Sequence, residues 1–538
     1  MQNNIIELLH RDFDPELQKN KETLREILNE SADLVKREFV FHGKSDVPGI
    51  CLFVDGLVDS KQIDTALKSL VLYAEELDQH VHEEADLEAI RLHILTKPSA
   101  MTVRSFKEAI EAILSGDTLI LLDGCEKGLL FSSRQWEKRG VEEPPSETVI
   151  RGPRDGFTEN IRVNTSLVRR RIKDPALRIE SMKVGKKSRT DINIAYIKGT
   201  VKEGLVDEVT NRLQRIKIDA VLESGYIEEL IEDAPLSPLP TIQSTERPDK
   251  VAAALLEGRV AIFVDNTPFV LIVPTSFWQY IQATDDYYSR YWVGSFFRLI
   301  RYFALAISLT LPSIYVLLAT FHQEMIPTTL ALTIASGREV VPFPALFEAV
   351  VMELVFELMR EAGLRMPKQI GSAISIVGSL VIGQAAVQAG IVGPTILIIV
   401  AITAIASFAI PNYAASFSIR ILRFPLLLAS GTMGLVGFGS VFSIIILHAL
   451  SIRSFGESYL APATPFRPSD QKDILLRLPW WSLTKLPQMA EGDEQRMGDN
   501  QMPKPPSQQN NNNNTDTSSW GNLRSKLKRH KENSEDDK

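Results

Sequence analysis

Between Gln369 and Ile419 the sequence contains no Asp, Glu, Lys or Arg, and after the pair Arg420 and Arg423 a second charge-free run extends from Phe424 to Ile452. Hydrocarbon cannot solvate charge, and a helix needs roughly 20 apolar residues to cross it, so these runs are long enough for several crossings. They commit this part of the chain to an α-helical polytopic membrane domain. Residues 1–290 instead carry ordinary charge density and mix helix-like with strand-like patterns, enough chain for one or two water-soluble α/β cores.

A net charge of -8 over 538 residues, with no basic domain, argues against a nucleic-acid-binding surface. Cys51 and Cys125 are too few for a disulfide framework and sit in apolar strand-like runs, as buried thiols in a reducing compartment would. The opening MQNNIIELLHRDFDPE has neither the basic nor the apolar region of a secretory signal, which predicts a cytoplasmic soluble half.

The soluble half reads as a duplication. Gly56 precedes Asp64 by eight positions, as Gly199 precedes Asp207, and Gly116 precedes Asp123 by seven, as Gly258 precedes Asp265. Both second landmarks end in a hairpin whose turn, Asp123-Gly124 or Asp265-Asn266, tolerates left-handed backbone. The offsets of 143 and 142 suggest two related α/β subdomains rather than a short-period solenoid. Catalytic motifs are missing: no P-loop, GxGxxG, GxSxG, HExxH or paired CxxC occurs, and His80, His82 and His93 suit solvated surface better than a metal site. No enzyme, cofactor or metal is expected.

Residues 151–173 gather Arg151, Arg154, Arg162, Arg169, Arg170 and Arg171. Two readings stay open: pairing with anionic membrane lipid or an acidic partner, and pairing with the chain's own carboxylates between the repeats.

In the membrane half, the apolar body Tyr302–Phe321 follows Arg298 and Arg301, and Pro312 predicts a kink. A hairpin of spans, 370–390 and 395–410, is preceded by Arg360, Arg365 and Lys368 and followed by Arg420 and Arg423, so both its ends read as cytoplasmic; a last span covers 425–447. Glycines along 370–390 suit close helix packing, and Gln384 and Gln388 are candidates for the wall of an ion path. Pro342 and Pro344 open a helix over about 344–362 that carries Glu348, Glu353 and Glu357. Glu353 and Glu357 lie about 40° apart around its axis, and Glu348 about 140° from Glu353. Such carboxylates either mark a pore or gate, or stay wet on an interfacial helix. Five spans would send the C-terminus outside and four would return it, and the sequence leaves that count open.

The chain thus divides into a helical head at 1–40, soluble α/β subdomains at 41–150 and 151–290, a transmembrane domain at 291–452, a membrane-proximal segment at 453–490 and a disordered Asn/Gln-rich tail at 491–538. The phrases LLDGCEKGLLF (Leu121–Phe131), RGPRDGFTENIRVNTSLVRRRI (Arg151–Ile172), ALLEGRVAIFVDNTPFVLIVP (Ala254–Pro274), PSIYVLLATFHQEMIPTTL (Pro312–Leu330) and PFPALFEAVVMELVFELMREAGLRMP (Pro342–Pro367) together resemble the A subunit of GerA-type spore germinant receptors, over roughly residues 30–485. A sister group, the stage V sporulation AF protein, shares this architecture. The resemblance implies a homo-oligomer in the spore inner membrane. It also implies a transporter-like B subunit and a lipoprotein C subunit as partners, and an ion-conducting role for the A subunit.

Overall fold

The computed structural model describes residues 7–28, 31–42, 46–72, 100–135, 143–144, 146–365, 383–468, 470–487, 496–498 and 501–503. His80, His82, His93, Lys368, most of the expected span at 370–390 and the Asn-rich tail lie outside them. The chain forms two compact units. In the smaller one a turn of helix at Trp480–Ser482 is followed by a contact in which the Arg496 N–H donates to the Thr484 carbonyl at 2.8 Å.

The larger unit begins with helix α1 (Leu17–Leu28) and strands β1 (Leu34–His42) and β2 (Asp46–Val54), continues through α2 (Ser60–Leu72), β3 (Met101–Val103) and α3 (Phe106–Ile113), and ends its first sheet with β4 (Asp117–Leu122) and β5 (Gly128–Ser132). The five strands lie in the order β1-β2-β4-β5-β3 and pair antiparallel throughout. Because successive strand residues point to opposite faces, Ile50, Leu52, Val54, Leu119 and Leu121 pack against α1 and α3, while Cys51, Phe53, Ile120 and Leu122 pack with Ile63 and Leu70 of α2. Each such burial contributes about 1.5–3 kcal/mol. Burial also pushes the Cys51 thiol up to about 12, so it stays protonated and inert.

The second sheet repeats this plan. Its elements are α4 (Ile161–Arg169), β6 (Leu177–Val184), β7 (Thr190–Ile197), α5 (Leu205–Arg215), α6 (Ser224–Ile231), β8 (Gln243–Thr245), α7 (Pro248–Leu256), β9 (Val260–Val264) and β10 (Val270–Val273), with strand order β6-β7-β9-β10-β8. Helices α4 and α7 cover one face, α5 and α6 the other. The likeness extends to single hydrogen bonds. Asp123 Oδ1 accepts the N–H that opens α1 at Leu17 (2.8 Å), and Asp265 Oδ1 accepts the one that opens α4 at Ile161 (3.3 Å). A carboxylate there satisfies an orphan donor at the positive end of a helix. The turn residues Gly124 and Asn266 share positive φ values of 83° and 69°, and their N–H groups donate to Pro15 and Glu159, both at 2.8 Å. The residues of the expected head therefore supply α1 and most of β1 to the first sheet.

On α6, burial and the nearby Glu232 and Glu223 raise the Glu228 carboxyl from 4.5 up to about 7. A group whose folded value is raised contributes stability that is present below its unfolded value and is lost as pH rises through about 7. Between about pH 5 and about pH 8 the melting midpoint should therefore fall less in Glu228→Gln, which stays neutral, than in the native chain. Parallel pH profiles for the two would contradict this assignment.

The helical part comprises α8 (Tyr291–Thr320), α9 (Thr328–Arg338), α10 (Ala345–Arg365), α11 (Gly383–Gln388), α12 (Pro394–Phe408) and α13 (Tyr413–Ser451). Helices α8 and α13 are long and apolar enough to cross a membrane. Trp292, Phe303, Ile405, Phe408, Val436 and Leu447 all turn outward, more apolar surface than water tolerates on one chain. Helix α8 runs through Pro312. The last helix begins at Tyr413, where the Asn412 side chain accepts the Ala415 N–H, so Arg420 and Arg423 lie within the helix, ahead of the expected span at 425–447.

Helix α13 breaks at Gly434, whose φ of 60° and ψ of -137° are open in practice to glycine alone. A Cβ there would also come within 3.0 Å of the Phe321 ring. Gly434→Ala should cost about 1–3 kcal/mol, read as a lower melting midpoint in detergent; an unchanged midpoint would refute the strain.

After α13 the chain returns to the second sheet. The hairpin β11 (Arg453–Ser454) and β12 (Glu457–Ser458) carries Phe455 into the core beside α5 and α6, with the Arg212 guanidinium 4.2 Å from its ring centre. Lys202 pairs with Glu457 at 2.7 Å, and the Ser454 hydroxyl bridges Thr275 and Thr241. The chain thus leaves for α8 and returns after α13 beside the same subdomain. Helix α12, at about 22 Å, is short of the roughly 30 Å hydrocarbon layer.

Candidate functional site

Helix α10 starts after the Pro342 and Pro344 segment and packs among α8, α12 and α13, so its three carboxylates enter the interior rather than water. Glu348 is 2% exposed. Its Oε1 meets Arg338 at 3.2 Å and its Oε2 accepts the Gly393 N–H at 2.9 Å, tying α9, α10 and the head of α12 together. Glu353 is fully buried against Arg423, whose guanidinium also donates to the Ser308 carbonyl (2.7 Å) and hydroxyl (3.1 Å) on α8. Glu357, about a quarter exposed, takes Arg420 at 2.9 Å. Arg360 stacks over Tyr413 at 5.3 Å. The result is a ladder of ion pairs in which neighbouring turns of α10 face neighbouring turns of α13.

Two atoms in this ladder, Glu353 Oε1 and Arg420 Nη2, are buried without a hydrogen-bond partner among the described residues. The Glu353 and Glu357 pairs thus leave a spare acceptor and a spare donor on the same seam, an energetically costly state in an apolar surround. The Glu348 and Glu353 carboxylates are thus buried rather than wet, while Glu357 stays partly exposed. Gln384 and Gln388 lie on α11 with both side chains exposed, away from this interior.

The arginine-rich segment spreads over several environments. Arg169 is 2% exposed and forks onto Asp33 at 2.8 and 3.0 Å, with Ser31 at 3.2 Å, so it joins the second subdomain to the first. Arg162 reaches Asp55 at 3.2 Å across the same boundary. Arg170 and Arg171 share Asp155, while Arg151 and Arg154 are exposed, the latter 3.9 Å from Glu143. Pairing with the chain's own carboxylates thus accounts for Arg162, Arg169, Arg170 and Arg171. Beside Arg162 an open cleft of about 350 Å³ separates the subdomains, with Asp55, Asp59, Gln135, Asn160 and Arg170 on its walls.

Sequence reasoning passed over a third cluster. Asp286 is 1% exposed and receives both Arg298 (3.2 Å) and Arg301 (2.7 Å) from the start of α8; Arg298 also reaches Asp473 at 2.8 Å. Tyr287 donates to Asp473 at 2.7 Å, and the adjacent Tyr288 donates to Asp249 at the head of α7. The cluster binds the second subdomain, the first membrane helix and the returning C-terminal segment into one joint. Its only local signal was an acidic pair 12 or more positions before two arginines, which membrane borders commonly show.

Comparison with known proteins is consistent across most of the chain. Residues 22–489 match the family described as Bacillus/Clostridium GerA spore germination protein. The uncharacterized membrane protein YfkQ of Bacillus subtilis is 44% identical over 92% of this chain and 95% of its own length, and spore germination protein KA of the same organism 44% over 91% and 90%. Among solved structures, the N-terminal domain of the A subunit of the Bacillus megaterium spore germinant receptor GerK3 is 35% identical, covers 50% of this chain and 98% of its own, and aligns with a TM-score of 0.41.

Proposed function

The chain belongs to the Bacillus/Clostridium GerA spore germination protein family, and from that premise we propose that it is the A subunit of a nutrient germinant receptor whose helical part is the ion-conducting element. It sits in the spore inner membrane with the α/β region facing the core, forms a homo-oligomer, and works with B and C subunits. No catalytic step is involved. The observation that supports conduction is the buried ladder of Glu348, Glu353 and Glu357 with Arg338, Arg423 and Arg420. Ionised groups are expensive at membrane depth, and where they occur they mark ion pathways or gates by default.

In this reading the ladder is the shut state: each carboxylate is neutralised by an arginine, and opening must separate pairs to present acid to a water path. The test reconstitutes the complete receptor in vesicles and measures nutrient-triggered cation release. Glu357→Gln should reduce the flux, because it removes a charge-bearing group from the path. Unaltered flux in a chain that still assembles would leave a scaffold or an accessory protein of the stage V sporulation AF type.

A second element is favoured by the cleft between the subdomains. Its opposed Asp55 and Asp59 on one wall and Arg162 and Arg170 on the other suit a small zwitterion, and its volume is within the range of small-molecule sites.

A further inference from the structure

Helix α6 turns an apolar stripe outward. Tyr226 and Leu230, one turn apart, are 43% and 52% exposed, Leu222 just before the helix is 67% exposed, and Leu236 just after it is 99% exposed. The buried side of the same helix, Ile227 and Ile231, already fills the second core, so the outward stripe has no use within the subdomain. Beside it stand Glu229 and Glu232, for which the described residues provide no ion pair. Asp233 is held by Arg212 at 2.8 Å and by the Phe455 N–H.

The place of this surface narrows what can cover it. The segment after α6 meets the end of the last membrane helix: the Ser237 hydroxyl and His448 Nε2 hydrogen-bond at 2.8 Å, and Ala234 and Leu239 pack with Leu309, Ile410 and Leu426 of the helical part. Leu447, next to His448, faces outward as lipid-exposed residues do. The stripe thus lies where α13 leaves the apolar layer. An anionic leaflet would repel the carboxylates. The inner-side loops of membrane proteins, by contrast, carry an excess of Lys and Arg.

We propose that the α6 surface, Leu222, Tyr226, Leu230 and Leu236 with Glu229 and Glu232, docks a basic, apolar-faced juxtamembrane segment of a partner membrane protein. This rests on the reading that the α/β region faces the core. The unrelieved crowding of Glu229 and Glu232, one turn apart, is an electrostatic cost that a cationic partner removes, and the aromatic and leucine side chains supply the anchors an interface centre needs.

Two measurements test it on the full chain in nanodiscs of neutral lipid. The first titrates a synthetic amphipathic helix of lysine and leucine, with a glutamate and leucine helix as control, against the native chain, Y226D/L230D and E229K/E232K. The lysine helix should bind the native chain, and each double variant should weaken it about tenfold or more, as loss of an interface hot spot does. Equal binding to native and variant chains, equal binding of the glutamate helix, or no binding at all overturns the proposal. So does loss of self-association in Y226D/L230D, which would make a second copy the occupant, or variant-sensitive binding of vesicles containing phosphatidylglycerol, which would make it lipid. The second measurement co-purifies the B and C subunits: Y226D/L230D should recover several-fold less of at least one of them, and full recovery also overturns the proposal. If the native chain recovers neither subunit the receptor reading fails, whereas the peptide titration still decides the surface.

Discussion

Arg423→Met will lower the stability of the helical part by about 3–5 kcal/mol, because it strands the Glu353 carboxylate in a dry interior and removes both bonds to Ser308. Methionine fills much of the volume but carries no charge, so the loss is electrostatic rather than a cavity. The double variant Glu353→Gln/Arg423→Met should recover most of the loss, since replacing both members of a buried pair by neutral groups is often close to neutral. Melting of the purified chain in detergent reads both. If the single variant melts with the native chain, the pair is not desolvated as described, and if the double variant is as poor as the single, the loss lies in packing. The same comparison bears on gating: a ladder that costs little when deleted as a pair but much when broken is suited to having two alternative pairings.

The second large effect is expected at Arg169, the one guanidinium of the arginine-rich segment buried between the subdomains. Arg169→Met takes the guanidinium from the buried Asp33 carboxylate, leaving it the Ser31 hydroxyl as side-chain donor, and should cost about 3–5 kcal/mol. Hydrogen exchange should rise at residues 31–34 and at Leu177, whose carbonyl Arg169 also holds at 3.0 Å. Arg154→Ala, by contrast, removes a 71% exposed side chain 3.9 Å from its partner and should change stability by less than about 0.5 kcal/mol. A comparable loss from both variants would mean that the cluster acts through net charge and not through the Asp33 contact.

The hairpin turns Asp123-Gly124 and Asp265-Asn266 were legible because tight turns restrict residue choice. The matching helix heads were not. Phe13 and Asn20, like Phe157 and Asn164, are seven positions apart, and each asparagine side chain brackets the residue after the phenylalanine, Asp14 at 2.9 and 2.6 Å and Thr158 at 2.7 and 2.6 Å. One phenylalanine and one asparagine carry too little information to be noticed without the fold. Glu353 and Glu357 stood out as charges in an apolar helix, yet their partners lie 70 and 63 positions later, at Arg423 and Arg420, where local pattern sees only a border. Long-range pairing leaves no periodic trace, which is also why the Asp286, Arg298 and Asp473 joint went unseen. The return of Phe455 into the second sheet was hidden for the same reason: a lone aromatic after a membrane helix looks like an interfacial anchor.

The second subdomain grips the helical part twice, through Asp249 on Tyr288 just before α8 and through the core that takes Phe455 just after α13. A tilt of that subdomain therefore exerts torque on both outermost rods at once, like a hand holding the two free ends of a folded rule. Motion of the α/β region cannot be absorbed by one slack tether; it has to be delivered to the bundle as a twist.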